Sequence, residues 1–189
     1  QLCISVERLY VEKPVAAQLT EKLTARVKAM SVGPGYDFEA EMGSLISQDQ
    51  LDTVSAHVDD AVAKGAVKRD ATPAGERLPD AVTRKIAPTL LTGVTPEMEI
   101  DDDEVFGPVL SVYPYRDLTE AITHIAANPH PLTMYWCGDQ NERFQKLADN
   151  TRSGSINGND FAIHLFSGEL PFAGVGNSGM GGYHGRTGF

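Results

Sequence analysis

Apolar residues recur along the chain in two ways, at steps of three and four residues and in short continuous runs, and the two alternate. Leu19, Leu23, Val27 and Met30 stand at steps of four, four and three, the stripe of an amphipathic helix that Gly33-Pro34-Gly35 should end. Pro14 suits the first turn of that helix, where its missing N–H would have no partner anyway. A second helix is predicted from Ser47 or Asp49 to about Lys64, through Leu51, Val54, Val58 and Ala61, with Gly65 as its stop. A third covers residues 117–127 through Leu118, Ala121, Ile122 and Ile125, and a short one covers about 141–148. Between them lie runs of strand length at residues 4–11, 66–68, 86–91, 109–113, 132–137 and 155–157. This alternation predicts an α/β fold with a mostly parallel sheet flanked by helices on both faces. Residues 70–84, rich in Pro, Gly and charge, read as a solvent loop, and the glycine-dominated residues 166–189 as ordered coil. The sequence has no internal repeat or low-complexity tract.

Length and composition narrow this picture. A chain of 189 residues holds one large or two small domains, and no linker-like break forces two. Hydrophobic residues make up 41% and charged residues 22%, ordinary values for a globular protein. The net charge of −10, from 16 Lys and Arg against 26 Asp and Glu, disfavours nucleic acid or an acidic membrane as partner. No run has the length of a membrane span and no signal-peptide pattern opens the chain, so a cytoplasmic location is expected; the opening Gln1, in place of Met, looks cut. Two cysteines, Cys3 and Cys137, are too few for a disulfide framework or a cysteine zinc site. Cys137, at the end of the run Met134-Tyr135-Trp136-Cys137-Gly138, is expected to be a buried strand residue.

Several patterns carry candidate chemistry. A lone cysteine is usually a small buried hydrophobe, and acting as a nucleophile requires thiolate character from a helix N-terminus, a cation or ordered N–H groups. Residues 96–104 carry six acids and no base, which fits a solvated acidic loop better than a Mg²⁺ or Ca²⁺ cage, because no flanking ligand spacing supports one. Gly174-Val175-Gly176-Asn177-Ser178-Gly179 satisfies G-x-G-x-x-G, yet more glycines follow and no helix can start there, so a dinucleotide fingerprint is rejected. The histidines, His57, His124, His130, His164 and His184, show no metal-ligand spacing. A Cys3–His dyad stays open.

Three segments in order resemble the aldehyde dehydrogenase superfamily: Gln1-Leu2-Cys3 with Arg8 and an apolar strand after it, Glu104-Val105-Phe106-Gly107-Pro108-Val109, and Leu170-Pro171-Phe172-Ala173-Gly174 with the glycines that follow. The resemblance implies that Cys3 is the catalytic thiol, attacking an aldehyde to give a thiohemiacetal, then a thioester, then the acid, with NAD or NADP as cofactor. It implies that Glu104 accepts hydrogen bonds from the nicotinamide ribose, that Phe106 packs beside it, that Gly107 lets the backbone pass close and that Pro108 fixes the turn. Phe172 would line the substrate tunnel, with Ala173 where the family's first Gly is usual. Asn159-Asp160-Phe161-Ala162-Ile163-His164 is similar to class 3 and coniferyl-type members, as is Tyr183-His184-Gly185-Arg186. That places His164 on a strand-like pocket wall. Gly43-Ser44-Leu45-Ile46-Ser47 is more similar to the succinate-semialdehyde type, so a dicarboxylate-like semialdehyde and an aromatic or longer apolar aldehyde both stay open. Arg8 would form a structural ion pair.

In the family the cofactor-binding domain, the general-base Glu and the oxyanion Asn precede the thiol. Residues 1–189 therefore read as the thiol-bearing catalytic domain alone, expected to be inactive in isolation and to expose an apolar face through which it self-associates as a homo-oligomer. Two other classes stay open: a non-catalytic interaction module that keeps the fold, and a cysteine hydrolase or acyltransferase that needs no NAD.

Overall fold

Helices and strands form in the order that the periodicity predicts. The structure, a computed structural model, describes residues 1–33, 37–70, 72 and 75–189. It divides into a first unit, Gln1–Leu2 with Val6–Tyr115, and a second, Cys3–Ser5 with Arg116–Phe189.

The first unit contains β1 (Arg8–Glu12), α1 (Lys13–Lys28), α2 (Gln48–Ala63), β2 (Val67–Asp70), β3 (Thr89–Thr92), α3 (Glu99–Asp102) and β4 (Val109–Tyr115). Pro14 sits in the first turn of α1 as expected, though the helix stops at Lys28, before Gly33; Pro34 and Gly35 lie outside the described residues. Ser47 caps α2 by accepting a hydrogen bond from the Gln50 N–H at 3.1 Å, and Gly65, at φ +106°, turns the chain out at its end. The run at residues 4–11 becomes strand only from Arg8, because residues 3–5 form a turn.

The strand order is β1-β4-β3-β2, with β1 and β3 parallel to β4 and β2 antiparallel to β3. Register decides which face each residue covers, because successive side chains alternate. Leu91 lies opposite Ser111 and so shares a face with Val109; there they join Leu51, Val54, Val58 and Ala61 of α2. Leu9 lies opposite Val112, on the other face, where Val11 and Val112 meet Ala16 and Leu19 of α1. Both faces of this sheet are therefore covered by helix.

The acidic run at residues 96–104 exposes five of its six acids, as a solvated segment should, but it is not merely a loop. Met98 and Ile100 are buried in the core of the first unit and the segment closes one helical turn, α3. Asp101 is buried too, its carboxylate accepting from the Tyr113 hydroxyl at 2.7 Å. Tyr113 stacks on Tyr10 with ring centres 5.2 Å apart, and burial pushes the Tyr10 phenol up to about 12. Of the loop expected at residues 70–84, positions 71, 73 and 74 lie outside the described residues; in the rest, Lys85 pairs with Glu76 at 2.7 Å.

The second unit contains α4 (Leu118–Ala127), β5 (Thr133–Trp136), α5 (Glu142–Asn150), β6 (Ser155–Gly158), α6 (Ile163–Phe166), β7 (Phe172–Ala173) and β8 (Gly182–Tyr183). Asp117 and Asn141 cap α4 and α5 through the Thr119 and Arg143 N–H groups, at 2.8 and 2.9 Å. Strands β5 and β6 pair in parallel, and β7 and β8 antiparallel. The glycine-rich end is thus more regular than coil, with this short pair and two 3₁₀ turns at Gly176–Ser178 and Gly185–Gly188. Cys137 is exposed, not buried. Strand β5 ends at Trp136, whose indole N–H donates to the Asp139 carbonyl at 2.9 Å, and Gly138, at φ +142°, carries the chain away. Among the described residues no helix is long and apolar enough to cross a membrane.

Candidate active site

In the second unit Cys3 occupies an exposed turn, and the next residue, Ile4, is only 4% exposed. An apolar anchor beside an exposed thiol fixes the turn and leaves the sulfur outside. The Ile4 carbonyl accepts a hydrogen bond from the Tyr135 hydroxyl on β5 at 2.8 Å, 131 residues along the chain. Tyr135 also packs against Phe161 and His164, with ring centres 4.9 and 6.2 Å away. His164 stacks on Phe172 at 5.7 Å, and Phe172 meets Tyr183 and His184 at 5.4 and 6.3 Å. The structure thus links the thiol turn, His164 and Phe172 through a residue that the sequence reading passed over as part of an apolar strand.

His164 does not lie on a strand. Ala162, at φ +63°, ends the extended segment, and His164 sits in the one-turn helix α6. It is 8% exposed, neither ring nitrogen has a partner among the described residues, and burial pushes its pKa down. A neutral imidazole in an aromatic wall is what these surroundings favour.

Removing the Tyr135 hydroxyl tests the tether directly. Tyr135→Phe is expected to cost about 1 kcal/mol of stability and to speed amide exchange in the Cys3 turn, checked by denaturant unfolding and hydrogen exchange. An unchanged exchange rate at Ile4 and Ser5 would show that the hydroxyl does not hold the turn.

The glycines of G-x-G-x-x-G are used internally. A Cβ on Gly174 would stand 2.2 Å from the Ser178 carbonyl oxygen and 2.5 Å from the Gly179 nitrogen, so the close approach serves chain on chain.

In the first unit, Glu104 and Phe106 lie in the loop between α3 and β4. Glu104 is exposed; partial desolvation and the nearby Glu7 charge raise its carboxyl pKa, opposed by Arg8. Phe106 takes φ +51°, a left-handed conformation unusual for a residue with a Cβ. The Phe106 and Val105 N–H groups donate to Glu7 Oε1 and Oε2 at 2.8 and 3.2 Å, and Gln50 Nε2 donates to the Val105 and Phe106 carbonyls at 2.9 and 3.3 Å. Gly107 packs so tightly on α2 that a Cβ would stand 2.6 Å from a Val54 methyl carbon. The Pro108 carbonyl accepts from the Thr89 N–H at 2.8 Å and joins the loop to β3. Among the described residues Arg8 does not form the ion pair expected of it. Its guanidinium donates to the Asp101 and Asp103 carbonyls at 2.7 and 3.3 Å, oxygens left over where α3 ends. Among the described residues no group of three or more His, Cys, Asp or Glu is arranged to hold a metal ion.

The aldehyde dehydrogenase family matches residues 1–189. A Mycobacterium ulcerans protein provisionally named succinate-semialdehyde dehydrogenase [NADP(+)] 2 is 45% identical over 190 residues, covering all of this chain and 36% of the relative. A Caulobacter vibrioides protein provisionally named coniferyl aldehyde dehydrogenase is 40% identical over 146 residues, covering 77% of this chain and 30% of the relative. The crystal structure of Staphylococcus aureus betaine aldehyde dehydrogenase in complex with NAD⁺ superimposes with a TM-score of 0.84 at 27% identity, covering 96% of this chain and 36% of that one. The chain thus spans about a third of the length of the relatives it matches. With the whole of its length inside the family match, the chain belongs to the aldehyde dehydrogenase family.

Proposed function

We propose that this chain is the thiol-bearing catalytic domain of an NAD(P)⁺-dependent aldehyde dehydrogenase and that Cys3 is its nucleophile. The observation that carries the reading is the exposed Cys3 thiol on a turn anchored by Ile4 and Tyr135 beside an aromatic wall that includes His164 and Phe172. The Cys3 sulfur bonds to the aldehyde carbon and the carbonyl oxygen takes up the negative charge, giving a thiohemiacetal. Loss of hydride from that carbon leaves a thioester, and water cleaves it to the carboxylic acid and the free thiol. Phe172 and His164 wall the substrate.

A nicotinamide dinucleotide supplies the hydride acceptor when bound. The loop fits such a group: Glu104 offers an exposed carboxylate to ribose hydroxyls, and Phe106 offers a ring on backbone that side chains hold on both sides. The remaining cofactor contacts, the general base and the oxyanion side chain belong, in this reading, to an N-terminal domain of a longer enzyme; the one-third share of its relatives' length supports this. Self-association is part of the reading too, since Phe166, Leu170, Met180 and Phe189 leave apolar surface exposed on the second unit. So is a cytoplasmic setting, which suits two free thiols.

The test is aldehyde-dependent reduction of NAD⁺ or NADP⁺ by the full-length protein, with succinate semialdehyde and coniferaldehyde compared as substrates. Turnover is expected from it and none from residues 1–189 alone. Ester hydrolysis through Cys3 that ignores dinucleotide, with no reduction of it, would replace the reading with a cysteine hydrolase.

A further inference from the structure

We infer that Glu7 is a positioning residue for dinucleotide binding: its carboxylate grips the Val105 and Phe106 main chain and so aims Glu104 and Phe106 at the cofactor. The inference rests on the reading of Glu104 and Phe106 as cofactor contacts.

Glu7 lies 98 and 99 residues from the two amides that it binds, so the contact is tertiary. Its two carboxylate oxygens each take one amide, and a carboxylate makes such bonds stronger than a neutral acceptor would. On the opposite side Gln50 takes the two carbonyls of the same residues. The main-chain groups of Val105 and Phe106 are therefore met by side chains. This matters because Phe106 is held at φ +51°, a conformation that its Cβ disfavours and that free chain would leave. The next residue, Arg8, ties the Asp101 and Asp103 carbonyls just upstream. Adjacent residues of opposite charge thus bracket Glu104, the acid binding N–H groups and the base binding carbonyls.

Glu7→Gln separates positioning from packing. The amide has nearly the same shape but only one oxygen, so one of the two N–H groups would face an NH₂ group instead. In residues 1–189 the variant is expected to speed hydrogen exchange at Val105 and Phe106 and to let Glu104 titrate lower once the Glu7 charge is gone, read by NMR. In the full-length protein it is expected to raise the KM for NAD(P)⁺ about tenfold, while the KM for aldehyde and the Cys3 labelling rate stay within about twofold. Glu7→Asp, which keeps the charge but shortens the reach, is expected to fall between the two and stands in if Glu7→Gln does not fold. Unchanged exchange at the two amides would overturn the grip, and faster exchange with unaltered dinucleotide affinity would overturn the positioning role. Glu104→Gln and Phe106→Ala distinguish the two layers: if neither weakens dinucleotide binding, the cofactor reading fails; if they do and Glu7→Gln does not, only the role of Glu7 fails.

Discussion

Replacing Cys3 with alanine in the full-length protein is expected to remove aldehyde-dependent dinucleotide reduction by about 10⁴-fold or more, since the proposed covalent intermediate forms on its sulfur. The fold should be indifferent. Cys3 is exposed, and substitutions on such surface usually change stability by no more than about 0.5 kcal/mol. Cys137 is the internal control, because it is exposed as well and accessibility alone does not distinguish the two thiols. What differs is the setting: Cys3 stands on a turn fixed by a buried isoleucine and a tyrosine hydroxyl, whereas Cys137 follows the end of a short strand. Cys137→Ala should leave turnover unaltered, and iodoacetamide at neutral pH should modify Cys3 first. Activity surviving in Cys3→Ala, or vanishing in Cys137→Ala, would remove the nucleophile from position 3.

The helices α2 and α4 were readable in the sequence because independent signals coincide there: apolar residues at steps of three and four and a Ser47 or Asp117 at the start in both, and for α2 a terminal Gly65 as well. Strand boundaries were less readable, since a run of apolar residues shows what is buried without showing where pairing starts. Thus β1 begins at Arg8, after a turn that the apolar pattern conceals. Cys137 was misplaced for a related reason, because the apolar run extends one residue past Trp136, the last residue of β5 in register with β6. In residues 96–104 the acids masked Met98 and Ile100, whose burial draws the segment into the core. The candidate site was named only through family motifs. The residues that arrange it, Tyr135, Glu7 and Gln50, act on chain 55 to 131 residues away, and no local pattern encodes a contact of that span.

Gly107→Ala carries the other large expected effect, because it sets the fold against the candidate cofactor loop. The added Cβ would stand 2.6 and 3.1 Å from the two methyl carbons of Val54, a fully buried residue in the middle of α2. A β-branched side chain in a helix has essentially one comfortable rotamer, so Val54 cannot swing aside. Either the helix or the loop must move, at a cost of about 1–3 kcal/mol. Moving the loop outward stretches the bonds from Gln50, which lies one turn before Val54 on the same helix, and turns Phe106 away from its present orientation. Gly107→Ala is therefore expected to lower stability by that amount and to weaken dinucleotide binding together with it. Val54→Ala supplies the missing room, so the double variant should be more stable than the sum of the two single losses predicts, by about 1 kcal/mol or more. Strict additivity in denaturant unfolding would mean that the glycine is not there to admit Val54, and that the loop owes its shape to the side-chain hydrogen bonds alone.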